Sequence, residues 1–276
     1  MNKVTTTFYG TRGSIPICDP DYFEFGGNTT CISFHRHDTG SIGILDAGTG
    51  IRALGKHINE EFSEQKEIGI FFSHFHWDHI QGLPFFDPAY NPKRVINIGA
   101  VGEGGKFTDL RTIFKNLMLE EYFPIQLENM GAKFNFDFTE ADVLEEEDVV
   151  LKAIKQDHPG VSWGYRLEVD DRAIVICTDL EHGDDINPEV VEFARDADLL
   201  IHEAQYTDEE LLTHKGWGHS SFNQAIEVAE RAGVKMLAMT HHDPDHDDLF
   251  LRKIEKQCQD RFKDCVLARE GMSIEV

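Results

Sequence analysis

Short apolar runs, alternating or continuous, recur at about residues 3–9, 30–36, 41–46, 67–73, 94–99, 149–157, 163–169, 172–178, 197–202, 235–240 and 272–276. Several are rich in Val, Ile, Thr and Phe and stop at Gly, Pro, Asp or His, which predicts β-strands. Between them the apolar spacing changes to that of a helix face: Ile51, Leu54, Ile58 and Phe62, then Leu110, Ile113, Phe114 and Leu117. Further helices are expected at 188–196, 207–213, 220–232 and 246–259. Ser220 or Ser221 can cap the third of these, and Gly233 can close it. The first third is strand-dominated, while later strands alternate with helices. That pattern suits two packed sheets with helices outside. No internal repeat or composition shift marks a boundary, so the chain reads as one domain over 1–276.

Many strands end alike. The apolar run EIGIFFS leads into His74, VLKAIKQD into His158, AIVICT into Asp179, ADLLI into His202 and Glu203, and VKMLAMT into His241. In a layered fold the strand ends on one edge lie together, so these tips can converge on one cleft, held by rigid strands. Around the first tip, FFSHFHWDHIQG places His74, His76, Asp78 and His79 within six positions. Residues two apart on an extended segment face the same way, so His74 and His76 can grip one cation. Asp78 and His79, one short turn later, can face a second. His158 completes the first site and His241, ahead of its rival His242, the second, with Asp179 between them. Such an N/O donor set suits two divalent ions, Zn first, with Mn or Fe as alternatives. The remaining histidines His35, His37, His57, His182, His214 and His246 read as surface residues without a role.

Composition narrows the setting. The chain is 41% hydrophobic with 20 Phe, enough for a sizeable core. Five scattered cysteines argue against a disulfide framework, and no signal-like or membrane-spanning apolar stretch is seen, so a cytoplasmic protein without membrane contact is expected. Fifty acidic against 26 basic residues give a net charge of −24. Such a field repels polyanions, so long nucleic acid is not expected as a partner, whereas a small anionic substrate can answer to the local field of a metal centre.

HFHWDH resembles the HxHxDH signature of the metallo-β-lactamase superfamily. LIHEAQY at 200–206, GHSS at 218–221 and MTHHDP at 239–244, with GTRGSIP and GGNTTC near the start, are similar to motifs of its tRNase Z-like and cyclic-nucleotide phosphodiesterase-like branch. The resemblance spans nearly the whole chain and implies an α/β, four-layered αβ/βα sandwich of two mixed β-sheets flanked by helices. It implies His74, His76 and His158 on one metal, Asp78, His79 and His241 on the other, and Asp179 bridging. Asp179 stands where well-known β-lactamases carry Cys, and His76 where oxygen-reducing members carry Glu. Both differences favour hydrolysis. The tRNase Z enzymes also carry a long basic arm that is not found here. The one insertion-like segment, 101–148, is acidic at EAD and EEED.

A dinuclear metal-dependent phosphodiesterase follows as the expected activity, with two ions lowering the pKa of a shared water. Asp78, His219 and Glu203 form the implied catalytic set. His219 would donate a proton to the leaving alkoxide while Glu203 orients it. The expected substrate is a small phosphodiester such as a cyclic nucleotide, with a tRNA/RNA 3′-processing endoribonuclease or a thioesterase/lactonase-type hydrolase as alternatives. Related enzymes are commonly dimers, so a homodimer is compatible. Arg12, Ser14, Asn28, Trp163 and Trp217 are further residues placed to touch substrate or merely to pack.

Overall fold

The structure, a computed structural model, describes residues 4–102, 109–139, 143–146 and 148–276. One sheet begins with β1 (Val4–Gly10), β2 (Cys31–Arg36), β3 (Ile42–Leu45), β4 (Glu67–Phe72), β5 (Val95–Val101) and β6 (Lys133–Thr139). The other takes β7 (Val143–Glu146), β8 (Val149–Gln156), β9 (Ser162–Val169), β10 (Arg172–Cys177), β11 (Leu199–Glu203), β12 (Met236–Thr240) and β13 (Cys265–Leu267). Strand β14 (Ser273–Glu275) returns to the first, giving orders β14-β1-β2-β3-β4-β5-β6 and β13-β12-β11-β10-β9-β8-β7. The helices are α1 (Ile51–Glu61), α2 (Trp77–Ile80), α3 (Leu110–Leu117), α4 (Pro188–Phe193), α5 (Asp208–Leu211), α6 (Phe222–Ala232) and α7 (Asp248–Arg261).

Side-chain alternation turns these elements into four layers. On β10, Ile174 and Ile176 point into the space between the sheets, while Val175 and Cys177 point out towards α4, α6 and α7. The inter-sheet layer also buries Phe8, Ile32, Leu45, Leu199, Ile201 and Ala238. On the other side α1 and α3 close the first sheet through Ile51, Leu54, Ile58, Leu110 and Phe114. Two bonds pin the sheets together beside the histidine motif. The Tyr165 hydroxyl donates to the Phe72 carbonyl at 2.8 Å, and the Trp163 N–H to the Ser73 carbonyl at 3.0 Å.

Strand direction decides where the chemistry gathers. Strands β3, β4, β5 and β6 run parallel, as do β10, β11, β12 and β13. Strand β8 is antiparallel to β9, which is antiparallel to β10, so β8 runs with β10. The carboxyl ends carrying His158, Asp179, Glu203 and His241 therefore share one edge, where ligands bind in open α/β sheets.

Helix α6 shows how local the signals are. Ser221 accepts from the Gln224 N–H at 3.3 Å and its own N–H donates to the Gln224 side chain, a capping box, while Gly233 ends the helix at φ 68°. Ser221→Ala is expected to remove about 1 kcal/mol of stability. Thermal unfolding of the metal-free protein checks this, and an unchanged midpoint would show the cap to be idle.

Three strands escape the sequence pattern. KFNFDFT has Phe134, Phe136 and Phe138 alternating with polar residues and forms β6, an edge strand covered on one face by α3. The stretch taken for an insertion thus completes one sheet with β6 and the other with β7. The three-residue β13 is too short to show a period. The acidic run at 140–142, and residue 147, lie outside the described residues. Among the described residues no helix is long and apolar enough to cross a membrane.

Candidate metal centre

His74, His76 and His158 bring ligand nitrogens within 4.8 Å of one another, and Asp78, His79, Asp179 and His241 form a second such group. A tetrahedral ion with bonds of about 2.0–2.1 Å holds its ligand atoms about 3.3–3.4 Å apart. In the second group His79 Nε2 lies 3.2 Å from Asp78 Oδ2 and 3.3 Å from Asp179 Oδ1. His241 Nε2 lies 3.3 Å from Asp78 Oδ2 and 3.4 Å from Asp179 Oδ2. These four separations match the ligand-to-ligand spacing around an ion of that size. In the first group His76 Nδ1 and His158 Nε2 are 3.1 Å apart, and Asp179 Oδ2 reaches to 3.8 Å from His74 Nε2 and 3.9 Å from His158 Nε2. Asp179 therefore faces both groups. Among the described residues the buried His74 Nε2 has no hydrogen-bond partner, a cost that ligation removes. The residues fit two divalent ions.

The opposite ring nitrogens are engaged. His79 Nδ1 bonds Asp46 Oδ2 at 2.8 Å, His158 Nδ1 the Gly218 carbonyl at 2.9 Å, His241 Nδ1 the Gln205 side-chain oxygen at 3.1 Å, and His74 Nδ1 the Ser73 hydroxyl at 3.1 Å. Such bonds fix which nitrogen is free for the ion. Asp46 in turn accepts from the Ser73 N–H and hydroxyl at 2.9 and 2.8 Å. The Ser14 N–H donates to Asp78 Oδ2 at 2.9 Å, and the Thr178 hydroxyl to Asp179 Oδ1 at 2.6 Å.

Backbone strain aims several of these groups. Asp46, Asp179 and His241 follow β3, β10 and β12 with φ of 61°, 57° and 61°, a region non-glycine residues seldom adopt. Strain held at a strand tip turns the side chain back into the cleft, and it persists only where the surroundings enforce it. Gly218, at φ 90°, is equally constrained: a Cβ there would fall 2.1 Å from His158 Nδ1.

Electrostatics favour cations. Burial opposes a charged His74 and holds its pKa well below the ordinary value, leaving the ring neutral. Burial would also lower His79, but Asp179, Asp78 and Asp46 outweigh it and raise it well above. Burial would raise the Asp78 and Asp179 carboxyls, yet the imidazoles around them win, and both stay below the usual range. Asp46→Asn exchanges a charged acceptor for a neutral one behind His79, so affinity for the second ion should fall about 10- to 100-fold. Titration of metal-free protein with Zn measures this, and equal affinity would show Asp46 to be a spectator.

His219 lies beside the centre, its ring 5.3 Å from that of His158 and stacked 5.0 Å from that of His241. Its Nδ1 faces Glu203 Oε1 at 3.5 Å, the outer limit of a hydrogen bond. Burial would lower its pKa, but Glu203 prevails and raises it. Glu203 also accepts backbone N–H bonds from Leu180, Gln205 and Ser220 at 3.2, 3.1 and 2.7 Å, tying three segments together.

The other sequence candidates divide. His202, one residue from Glu203, points to the opposite face of β11 and meets His182 at 3.3 Å, so it never reaches the cleft. His182 is thereby buried, as is His246, which stacks on Phe250 at 4.0 Å and bonds Glu210. Neither is a surface residue. Arg12 is fully buried, its guanidinium donating to the carbonyls of Gly26, Asp243 and His246. Asn28 is held by Glu270, and Trp163 packs between the sheets. Of the loop candidates Ser14 and Trp217 are exposed. Asp46, Ser73 and Gln205 escaped the sequence reading, although ILDAG obeys the same rule of an apolar strand ending in Asp.

A family model described as the beta-lactamase superfamily domain matches residues 44–242. Ribonuclease Z of Methanosarcina acetivorans is 25% identical, covering 98% of this chain and 97% of its own. Ribonuclease Z of Agathobacter rectalis is 28% identical, covering 86% and 89%. Among solved structures, the metallo-β-lactamase fold protein YhfI from Bacillus subtilis aligns over 100% of both chains with TM-score 0.75 and 18% identity. The short form of human tRNase Z aligns over 99% of both with TM-score 0.68 and 22% identity. These relatives overturn the expectation that long nucleic acid is an unlikely partner. Net charge sums over the whole surface and is screened beyond about 8–10 Å at physiological salt, whereas two dications would set the field at the site. With the family match spanning most of the chain and the sandwich carrying a two-ion site at its strand ends, the protein belongs to the metallo-β-lactamase superfamily as a metal-dependent hydrolase with a dinuclear centre.

Proposed function

We propose that the centre is a phosphodiesterase that hydrolyses RNA, with His74, His76 and His158 on one Zn ion, Asp78, His79 and His241 on the other, and Asp179 shared. The carrying observation is Asp179 facing both ligand groups, with His219 in reach of His158 and Asp179. The ribonuclease Z relatives, matched over nearly their full length, favour RNA over other diesters. Bound ions would supply Lewis acidity and a water of lowered pKa. Asp78, held by the Ser14 N–H, keeps one carboxylate oxygen towards His241 and His79. His219 holds a proton at Nε2 for the departing alkoxide, while Nδ1–H points at Glu203. All five cysteines are unpaired, which fits a reducing, cytoplasmic setting.

The test is hydrolysis by metal-loaded protein of a precursor tRNA with a 3′ trailer, a single-stranded RNA, cyclic nucleotides and a thioester. RNA cleavage that stops when metal is chelated is expected. Turnover of the thioester alone would overturn the reading. A second reading is hydrolysis of a small cyclic diester, which the same two-ion geometry would also accommodate. It would replace the first if cyclic nucleotides were hydrolysed and every RNA left intact.

A further inference from the structure

Two of the three tryptophans stand in solvent. Trp77 is 79% exposed and Trp217 60%, while Trp163 is buried. Indoles normally bury much of their area, so two left exposed beside a reaction centre call for a ligand. Trp77 sits between His76 and Asp78. His76 is the exposed member of its ligand group, and its Nδ1 lies 3.1 Å from His158 Nε2. Trp217 precedes Gly218, whose carbonyl accepts from His158 Nδ1 at 2.9 Å. Each indole is thus rooted one residue from a group that touches His158.

Trp217 is also braced. The turn carrying it is fixed by the Gly216 and Gly218 N–H groups donating to Glu181, at 2.8–2.9 Å. Its ring centre lies 4.7 Å from that of His214 in a T-shaped pair, and His214 stacks on Tyr206 at 4.6 Å, which lies 6.0 Å from His219. An aromatic buttress therefore runs from the rim to the centre.

We infer that Trp77 and Trp217 form a stacking rim for the unpaired bases that flank the scissile phosphate, which rests on the RNA reading above. Phosphate contacts and base stacking are separate sources of affinity for a single strand, and the charge of −24 bears on the first alone. Stacking on indole faces is indifferent to that charge and tolerant of sequence, because every base has a π-face. The substrate segment is accordingly single-stranded at the centre.

The test uses metal-loaded protein, indole fluorescence and two probes: a phosphorothioate-linked single-stranded hexaribonucleotide and the same backbone without bases. The hexamer should quench the emission. Trp77→Ala and Trp217→Ala should each raise its Kd at least about fivefold, with Trp→Phe recovering most of the loss. The abasic backbone should bind wild type and variants alike. Unchanged Kd in both Ala variants, an equal loss on the abasic backbone, or emission unaltered by the hexamer would each overturn the rim. Quenching by the hexamer in a protein that cleaves no RNA would support the rim and remove the RNA-hydrolysing reading.

Discussion

Asp179→Asn is expected to lower ion content from two per chain to one or none, and to reduce hydrolysis by more than about a thousandfold, since the Lewis acids of a two-metal step act as a pair. Asp179 is the carboxylate within reach of both ligand groups, at 3.3–3.4 Å from the second and 3.8–3.9 Å from the first. Asn is the apt substitution because its side chain tolerates the left-handed backbone at φ 57°, where Ala would add strain of its own. The Thr178 hydroxyl can still bond the amide oxygen, so the tip should keep its shape. Elemental analysis with a thermal melt separates lost ligation from lost folding. Two retained ions with wild-type turnover would show that Asp179 bridges nothing.

The second large effect comes from a group outside the ligand set. His219→Ala should leave both ions bound and lower kcat by about 10²–10⁴, the usual range for a positioned acid or base. The loss should be large for an alkoxide leaving group and small for p-nitrophenolate, which departs without a proton. A merely structural His219 would depress both substrates equally. Glu203→Gln should be less selective. Its carboxylate accepts three backbone N–H bonds besides facing His219, so the change loosens the turn at 218–221 as well as the imidazole.

Much of this centre was legible because one rule, an apolar strand closed by His or Asp, reports both position and chemistry. It found His158, Asp179 and His241, far apart in sequence, and strand direction explains why they meet. The rule was too coarse at β11, where His202 and Glu203 both end the strand. Parity on the strand sends Glu203 to the cleft and His202 to the helices, and only the packing reveals which face is which. Asp46 satisfied the rule at the end of its strand, but its role depends on a partner 33 residues away. His182 and His246 looked like surface residues because no local pattern signals burial of a lone polar side chain among distant elements. Strand β6 shows the same alternation as other strands, but it lies inside the stretch read as an insertion. Net charge failed for a different reason: it has no direction, whereas binding depends on the field at one cleft.

Two ions caged together are what every role assigned to this cleft requires. The most direct test is elemental analysis of Zn-loaded protein combined with anomalous diffraction at the metal edge. Two ions per chain about 3.5–4 Å apart, with His74, His76 and His158 around one, Asp78, His79 and His241 around the other, and Asp179 touching both, is the expected result. A single ion at saturating Zn, or a pair with His158 or His241 turned away, would contradict it.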